Sequence, residues 1–157
     1  MAQYWLMKSE PNEYSIDDLK RDGRSPWYGV RNYQARNIMR DDMKAGDEVL
    51  YYHSNAKPPG IVGRARVVKE GYPDHTAQDP DDKHYDPKAS QDDPRWFMVD
   101  IEFVEKFPRL LALPDLRQVE ALQQMVLLNR SRLSVQPVKE EEFDLILRLA
   151  KEGFGDS

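Results

Sequence analysis

The 157-residue chain contains no cysteine. That absence removes disulfide frameworks, thiolate zinc sites, thiol nucleophiles and iron–sulfur clusters in one step. Histidine is almost as scarce, and an all-histidine metal site would need His53, His75 and His84 to converge. No run of about 18 apolar residues occurs, and the first ten residues lack a basic start followed by a long apolar stretch. Neither a membrane-spanning helix nor a membrane partner is expected, and the simplest address is cytoplasmic, or nuclear in a eukaryotic cell. Enzyme templates are missing too. There is no GxxxxGK phosphate loop, no GxGxxG, no GxSxG elbow and no HExxH.

What is present reads as one globular domain spanning residues 1–157. A chain of this length removes roughly 70% of its unfolded surface from water and needs no metal to fold. Three Trp and eight Tyr argue against disorder. The net charge of −5 does not favour nonspecific nucleic-acid binding by the molecule as a whole. That average hides a segregation. Lys20 to Arg40 holds six basic residues against one acid, and Lys57 to Lys69 holds four basic residues and no acid. Glu70 to Asp93 holds eight acids against two lysines. A basic front half and an acidic loop can fold into a molecule with one anion-attracting face, or scatter over the surface.

Along the chain, Gln3–Lys8 reads as a buried first strand, and Ser15 as the N-cap of a short helix that Gly23 ends. Asn32 reads as a second N-cap, with Ala35, Ile38, Met39 and Met43 at helical spacing behind it. Strands are expected at Glu48–His53, Ile61–Val68 and Trp96–Phe107, and a long solvated excursion at Tyr72–Pro94. Leu116, Val119, Leu122 and Val126 predict an amphipathic helix over Asp115–Leu127. A short extended piece at Leu133–Gln136, closed by Pro137, precedes a last helix at about Glu140–Lys151. The order suggests an α+β fold built on a small β-barrel.

The acidic loop between His75 and His84 admits an Asp/His metal site or a plain hydrophilic loop, and its acids have no recognised ligand spacing. Paired carboxylates sit in polar surroundings, with no dry partner to lift a pKa for acid–base work. The binding vocabulary is richer. Trp27 lies in a Pro- and Gly-bounded loop, with Tyr28, Arg31, Asn32 and Arg36 close behind. Those groups can stack on a flat ring, hydrogen-bond its edge and neutralise a phosphate. Lys8-Ser9-Glu10 and His53-Ser54-Asn55 follow strand ends, and would meet at one rim if both strands run the same way. Each residue also has a plainer role: Trp27 in packing, Asn32 as a helix cap, His53 as a strand-end hydrogen bonder. From the charge segregation, Arg31, Arg36, Lys57 and Arg64 are the expected contacts to a nucleic-acid backbone.

The segments YWLMKSEP (Tyr4–Pro11), YSIDDL, GVRNYQARN (Gly29–Asn37), YYHSN (Tyr51–Asn55), PGIVG, DPK, PRW and RLSVQPV (Arg132–Val138) resemble those of the EVE-domain family. The resemblance runs from about Tyr4 to Leu149. It implies a PUA-like β pseudo-barrel of about five to six mostly antiparallel strands with flanking helices, related to the YTH domains that take a methylated base into an aromatic-walled pocket. It further implies a noncatalytic domain that binds DNA or RNA carrying a modified base, notably 5-modified cytosine, and that uses no cofactor and no metal. By resemblance, Trp27 is the cage Trp, Lys8 and Ser9 line the pocket floor, and Asn32 gives an edge contact. Tyr52, His53, Ser54 and Asn55 form the other side, and Leu133 and Ser134 close the rim. Trp96 is a further wall or part of the core. Two other readings stay open: a base- or nucleotide-processing enzyme on the same barrel, and a module for another planar ligand or a protein.

Overall fold

The structure is a computed structural model, and it describes residues 2–130 and 132–154. In chain order it runs β1 (Tyr4–Ser9), α1 (Ile16–Asp22), β2 (Arg24–Pro26) and α2 (Tyr33–Asn37), which continues as a π-helical turn. Then come β3 (Glu48–His53), β4 (Gly60–Pro73), β5 (Phe97–Ala112), α3 (Leu113–Leu116), α4 (Val126–Asn129), β6 (Val135–Val138) and α5 (Glu140–Glu152). The strands form one six-stranded sheet in the order β2-β5-β4-β3-β1-β6. Its neighbours are antiparallel except β1 and β3, which are parallel. The expected PUA-like α+β architecture, with mostly antiparallel strands and flanking helices, is the one found, with an open sheet from β2 to β6 in place of a closed small barrel.

The sheet is covered on both faces, which is why β1 and β3 read as unbroken apolar runs. Side chains alternate across a strand. Trp5, Met7, Val49 and Tyr51 therefore enter one core with Ile16, Leu19, Trp27 and Met39. Leu6, Leu50 and Tyr52 enter the other with Phe107, Leu111, Phe143 and Ile146. The long strands β4 and β5 pair through several register shifts, and each bulge bends the ladder and adds twist.

The first two caps are as the sequence suggests. Ser15 and Asp18 form a reciprocal capping box, and Asn32 Oδ1 accepts from Ala35 N at 2.9 Å. Four expectations need correction. The helix anticipated at 115–127 is broken into α3, a 3₁₀ turn at Glu120–Leu122 and α4. Val119 and Met125 are extended, and the amides of Gln123 and Asn129 bond carbonyls at Arg117, Val119, Gln123 and Met125, taking the place of helical partners. The strands from Ile61 and Trp96 are longer than expected, reaching Pro73 and Ala112. Pro137 does not close β6 but lies within it, opposite Trp5, where an edge strand tolerates its missing N–H. The excursion after Pro73 is anchored, with Asp74, Thr76 and Ala77 buried.

One buried carboxylate ties the start of the sheet together. Asp47, 2% exposed, accepts from Gln3 N at 3.0 Å, Trp5 Nε1 at 2.9 Å and Lys44 N at 2.8 Å. Leaving a buried donor unpaired costs about 1–3 kcal/mol, and losing a cap about 1 kcal/mol. Asp47→Ala is therefore expected to lower the unfolding free energy by about 3 kcal/mol or more and Ser15→Ala by about 1 kcal/mol, read from urea midpoints at constant slope.

Candidate nucleic-acid interface

The parallel ladder of β1 and β3 sets Lys8 opposite Tyr52 and Ser9 opposite His53, and Ser54 N donates to Ser9 O at 3.0 Å. The two strand-end clusters thus meet at one rim. Alternation then divides them between the two faces of the sheet. On the side of the first core opens a concavity of about 350 Å³, lined by Ser9, Glu10, Glu13, Tyr14, Ser25, Pro26, Trp27, Tyr28, Lys83 and His84. On the other side lies one of about 480 Å³, lined among others by Lys8, Tyr52, Ser54, Asn55, Leu127, Arg132 and Ser134. Ser9 and Glu10 belong to both walls. The candidates grouped by sequence into one pocket therefore fall on two.

The first concavity is aromatic. Trp27, 8% exposed, meets Tyr51 edge-on at 5.4 Å between ring centroids, and its backbone N–H donates to Val99 O, pinning the loop to β5. Tyr28 is 48% exposed and lies edge-on to His84 at 5.6 Å. The Tyr14 hydroxyl donates to Asp22 at 2.7 Å; burial and that bond push its pKa up to about 12. Lys83 bonds Glu13 at 2.7 Å across the mouth, holding the Glu13 carboxyl below its ordinary range.

The acidic loop forms the far wall because Asp74 holds it to the Trp27 loop. This fully buried carboxylate accepts from Gly29 N at 2.7 Å, Arg31 Nη1 at 3.1 Å and the Thr76 hydroxyl at 2.6 Å. Arg31 also donates to His84 O at 2.7 Å. Gly29 has φ +85, and a Cβ there would stand 2.7 Å from the His84 ring, so both the turn and the packing exclude a side chain. Burial alone would raise the Asp74 pKa, but the bonds from Thr76, Gly29 and Arg31 outweigh it and hold it below its ordinary value.

The other candidates have structural partners. His53 Nε2 accepts from Ile16 N at 3.1 Å, so this ring caps α1, and burial lowers its pKa. Asn32 caps α2, and Leu133 is buried in the first core. Trp96 is 5% exposed, donates to Asp86 at 2.7 Å and stacks on Tyr33 at 4.8 Å, outside both concavities. Among the expected backbone contacts, Arg31 serves Asp74, and Arg64 pairs with Glu48 and Glu105. Arg36 lies over the Tyr33 ring at 4.8 Å and donates to Arg95 O, while Lys57 is exposed on the loop after β3. Lys8 sits 5.4 Å from the Tyr52 ring centre, and burial lowers its pKa. No group of three metal-ligating side chains occurs among the described residues. Sequence reasoning placed Glu10 in the strand-end cluster but missed Glu13, Tyr14, Lys83 and His84 as wall residues. Glu10 and Tyr28 are sequence neighbours of Ser9 and Trp27, but nothing local marks Lys83 and His84.

The family is decided by extent of likeness. The EVE domain model matches residues 3–149. This chain belongs to the EVE-domain family. Mouse thymocyte nuclear protein 1 is 47% identical over 168 residues, covering 95% of this EVE domain and 74% of the mouse protein. The crystal structure of human THYN1 in complex with 5-methylcytosine-containing DNA superposes with a TM-score of 0.90 at 45% identity, covering 96% of this chain and 99% of that one. A hypothetical protein from Leishmania major superposes at 0.94 with 49% identity, covering 97% and 96%. The mouse and human relatives are named for the nucleus, so the cytoplasmic expectation draws no support from them.

A depressed carboxylate contributes stability that is complete above its unfolded pKa, about 3.9, and is lost as pH falls through the folded value. The stability difference between the native chain and Asp74→Asn is expected to stay level from pH 8 to about 5 and to shrink below about 4. His53, also depressed, is held neutral by the fold. Its contribution is complete above about pH 6.5 and falls as the ring protonates. His53→Gln is expected to flatten the decline in stability between pH 7 and 5, measured by denaturant titration.

Proposed function

We propose that this EVE domain is a noncatalytic reader of DNA that takes a 5-modified cytosine into the concavity walled by Trp27 and Tyr28. The observation that carries this reading is the match, over 96% of the chain, to the THYN1 structure bound to 5-methylcytosine-containing DNA. The pocket chemistry supports it. A base must leave its stack at a cost of a few kcal/mol. Stacking on an aromatic returns about 1–3 kcal/mol, and burying the 5-methyl group about 0.8 kcal/mol more. The small surplus favours single strands or strained duplexes.

The second concavity supplies cationic chemistry for the adjoining backbone through Lys8 and Arg132, with Lys57 on the loop that borders it. Arg36 is a further contact in this reading. Arg31 and Arg64 are left to their carboxylates. Three acids of the acidic loop have partners within the chain, Asp74 on Arg31, Asp82 on His84 and Asp86 on the Trp96 indole, while Asp79, Asp81, Asp92 and Asp93 stay exposed.

Fluorescence anisotropy with single-stranded 12-mers carrying one cytosine, 5-methylcytosine or 5-hydroxymethylcytosine tests the reading. Tighter binding of a modified strand is expected, and Tyr28→Ala, a substitution at an exposed ring, is expected to weaken it about 5- to 100-fold. Equal binding of all three strands would sink the proposal. Each true phosphate contact removed from a single strand should also flatten the log–log salt slope by about 0.7. Lys57→Ala and Arg132→Ala are expected to do so, and Arg64→Ala is not.

A further inference from the structure

The reading above leaves a problem of discrimination. 5-Methylcytosine and thymine carry the same methyl group at the same ring position, so neither stacking nor an apolar niche can separate them. They differ at the pairing edge, where cytosine presents a 4-amino donor and thymine a carbonyl acceptor. An acceptor-only group beside the 4-position therefore separates them, accepting from the amino group and repelling the carbonyl.

Two side chains lining the first concavity are acceptors of that kind, Glu10 and Glu13. Glu13 faces Lys83, whose ammonium lies 2.7 Å from Oε2 at the mouth. Glu10 is placed differently. It directly follows β1 and is half-buried, and its carbonyl accepts from Glu13 N and Tyr14 N, both at 2.9 Å, so its backbone is held by a turn. Its carboxylate is oriented from outside the concavity by Asn55, whose amide donates to Oε1 at 2.9 Å. Asn55 lines the second concavity and not the first, so Oε1 is engaged from that side. Among the described residues no hydrogen bond is made to Oε2.

We infer that Glu10 is the specificity-determining residue for the amino edge of the base, accepting from the cytosine 4-amino group and repelling the thymine carbonyl. This rests on the base-reading proposal and adds to it which bases are refused. Asn55 acts as a positioning residue through the same carboxylate. The neutral Glu10→Gln variant keeps the length, and its amide can flip together with that of Asn55, turning either an oxygen or an N–H toward the ring, so both edges are accommodated.

The test is a competition among otherwise identical single-stranded 12-mers with 5-methylcytosine, cytosine, thymine or uracil at the central position, read by anisotropy for the native chain and Glu10→Gln. The native chain is expected to prefer 5-methylcytosine over thymine by about 10- to 100-fold. In Glu10→Gln that preference is expected to fall to within about threefold, while the smaller preferences set by the methyl group, 5-methylcytosine over cytosine and thymine over uracil, persist. Thermal melting checks that the variant is folded, and Asn55→Ala, expected to narrow the same preference partially, serves as a second variant if it is not. A folded Glu10→Gln that still refuses thymine overturns the assignment. A native chain that holds 5-methylcytosine and thymine equally, both above cytosine and uracil, overturns it while leaving an aromatic base pocket in place. Binding of none of the strands overturns both readings.

Discussion

The parallel pairing of β1 with β3 is the contact on which the candidate interface depends. An antiparallel arrangement would send Ser9 and Ser54 to opposite ends of the sheet. Instead the strands end together, in register, and the chain leaves each by a polar segment at the same rim. With both faces of the sheet buried, every second residue belongs to a different core, and the polar ends inherit that division. Two concavities back onto a shared partition as a result. One is walled by aromatic rings and carboxylates, the other by cations and hydroxyls.

The far wall of the aromatic concavity comes from a segment that composition alone describes as solvated. Burying Asp74 is costly unless each of its oxygens is answered, and here Gly29, Arg31 and Thr76 answer them. The burden of that carboxylate fixes the Trp27 loop and the His84 segment relative to each other. A wall held in place before a ligand arrives costs less ordering on binding than one assembled around it.

Much of the architecture was legible in the sequence because it rests on local signals. The Ser15 cap, the Asn32 cap and the apolar runs of β1 and β3 each follow from a few adjacent residues. The meeting of Ser9 and Ser54 at one rim was legible only on condition of strand direction. Their division between two faces follows from the period of two, yet motif-level resemblance grouped Lys8, Trp27 and Tyr52 into a single pocket. The broken segment from Leu113 to Asn129 was not legible: its apolar spacing fits a helix, and the side-chain amides of Gln123 and Asn129 compete for its carbonyls four and six residues back, which an apolar pattern does not record. Nor was the role of Arg31, whose buried partner lies 43 positions away.

The partition formed by Ser9 and Glu10 carries a thermodynamic obligation. If a ligand on one side of the wall shifted it, a ligand on the other side would feel that shift in its binding free energy. Such coupling is reciprocal: whatever factor an occupant of the aromatic side adds to the affinity of the cationic side is returned in equal measure. Under the proposed reading, a nucleic-acid strand that reached both concavities and moved their shared wall would bind base and backbone with affinities that are not independent.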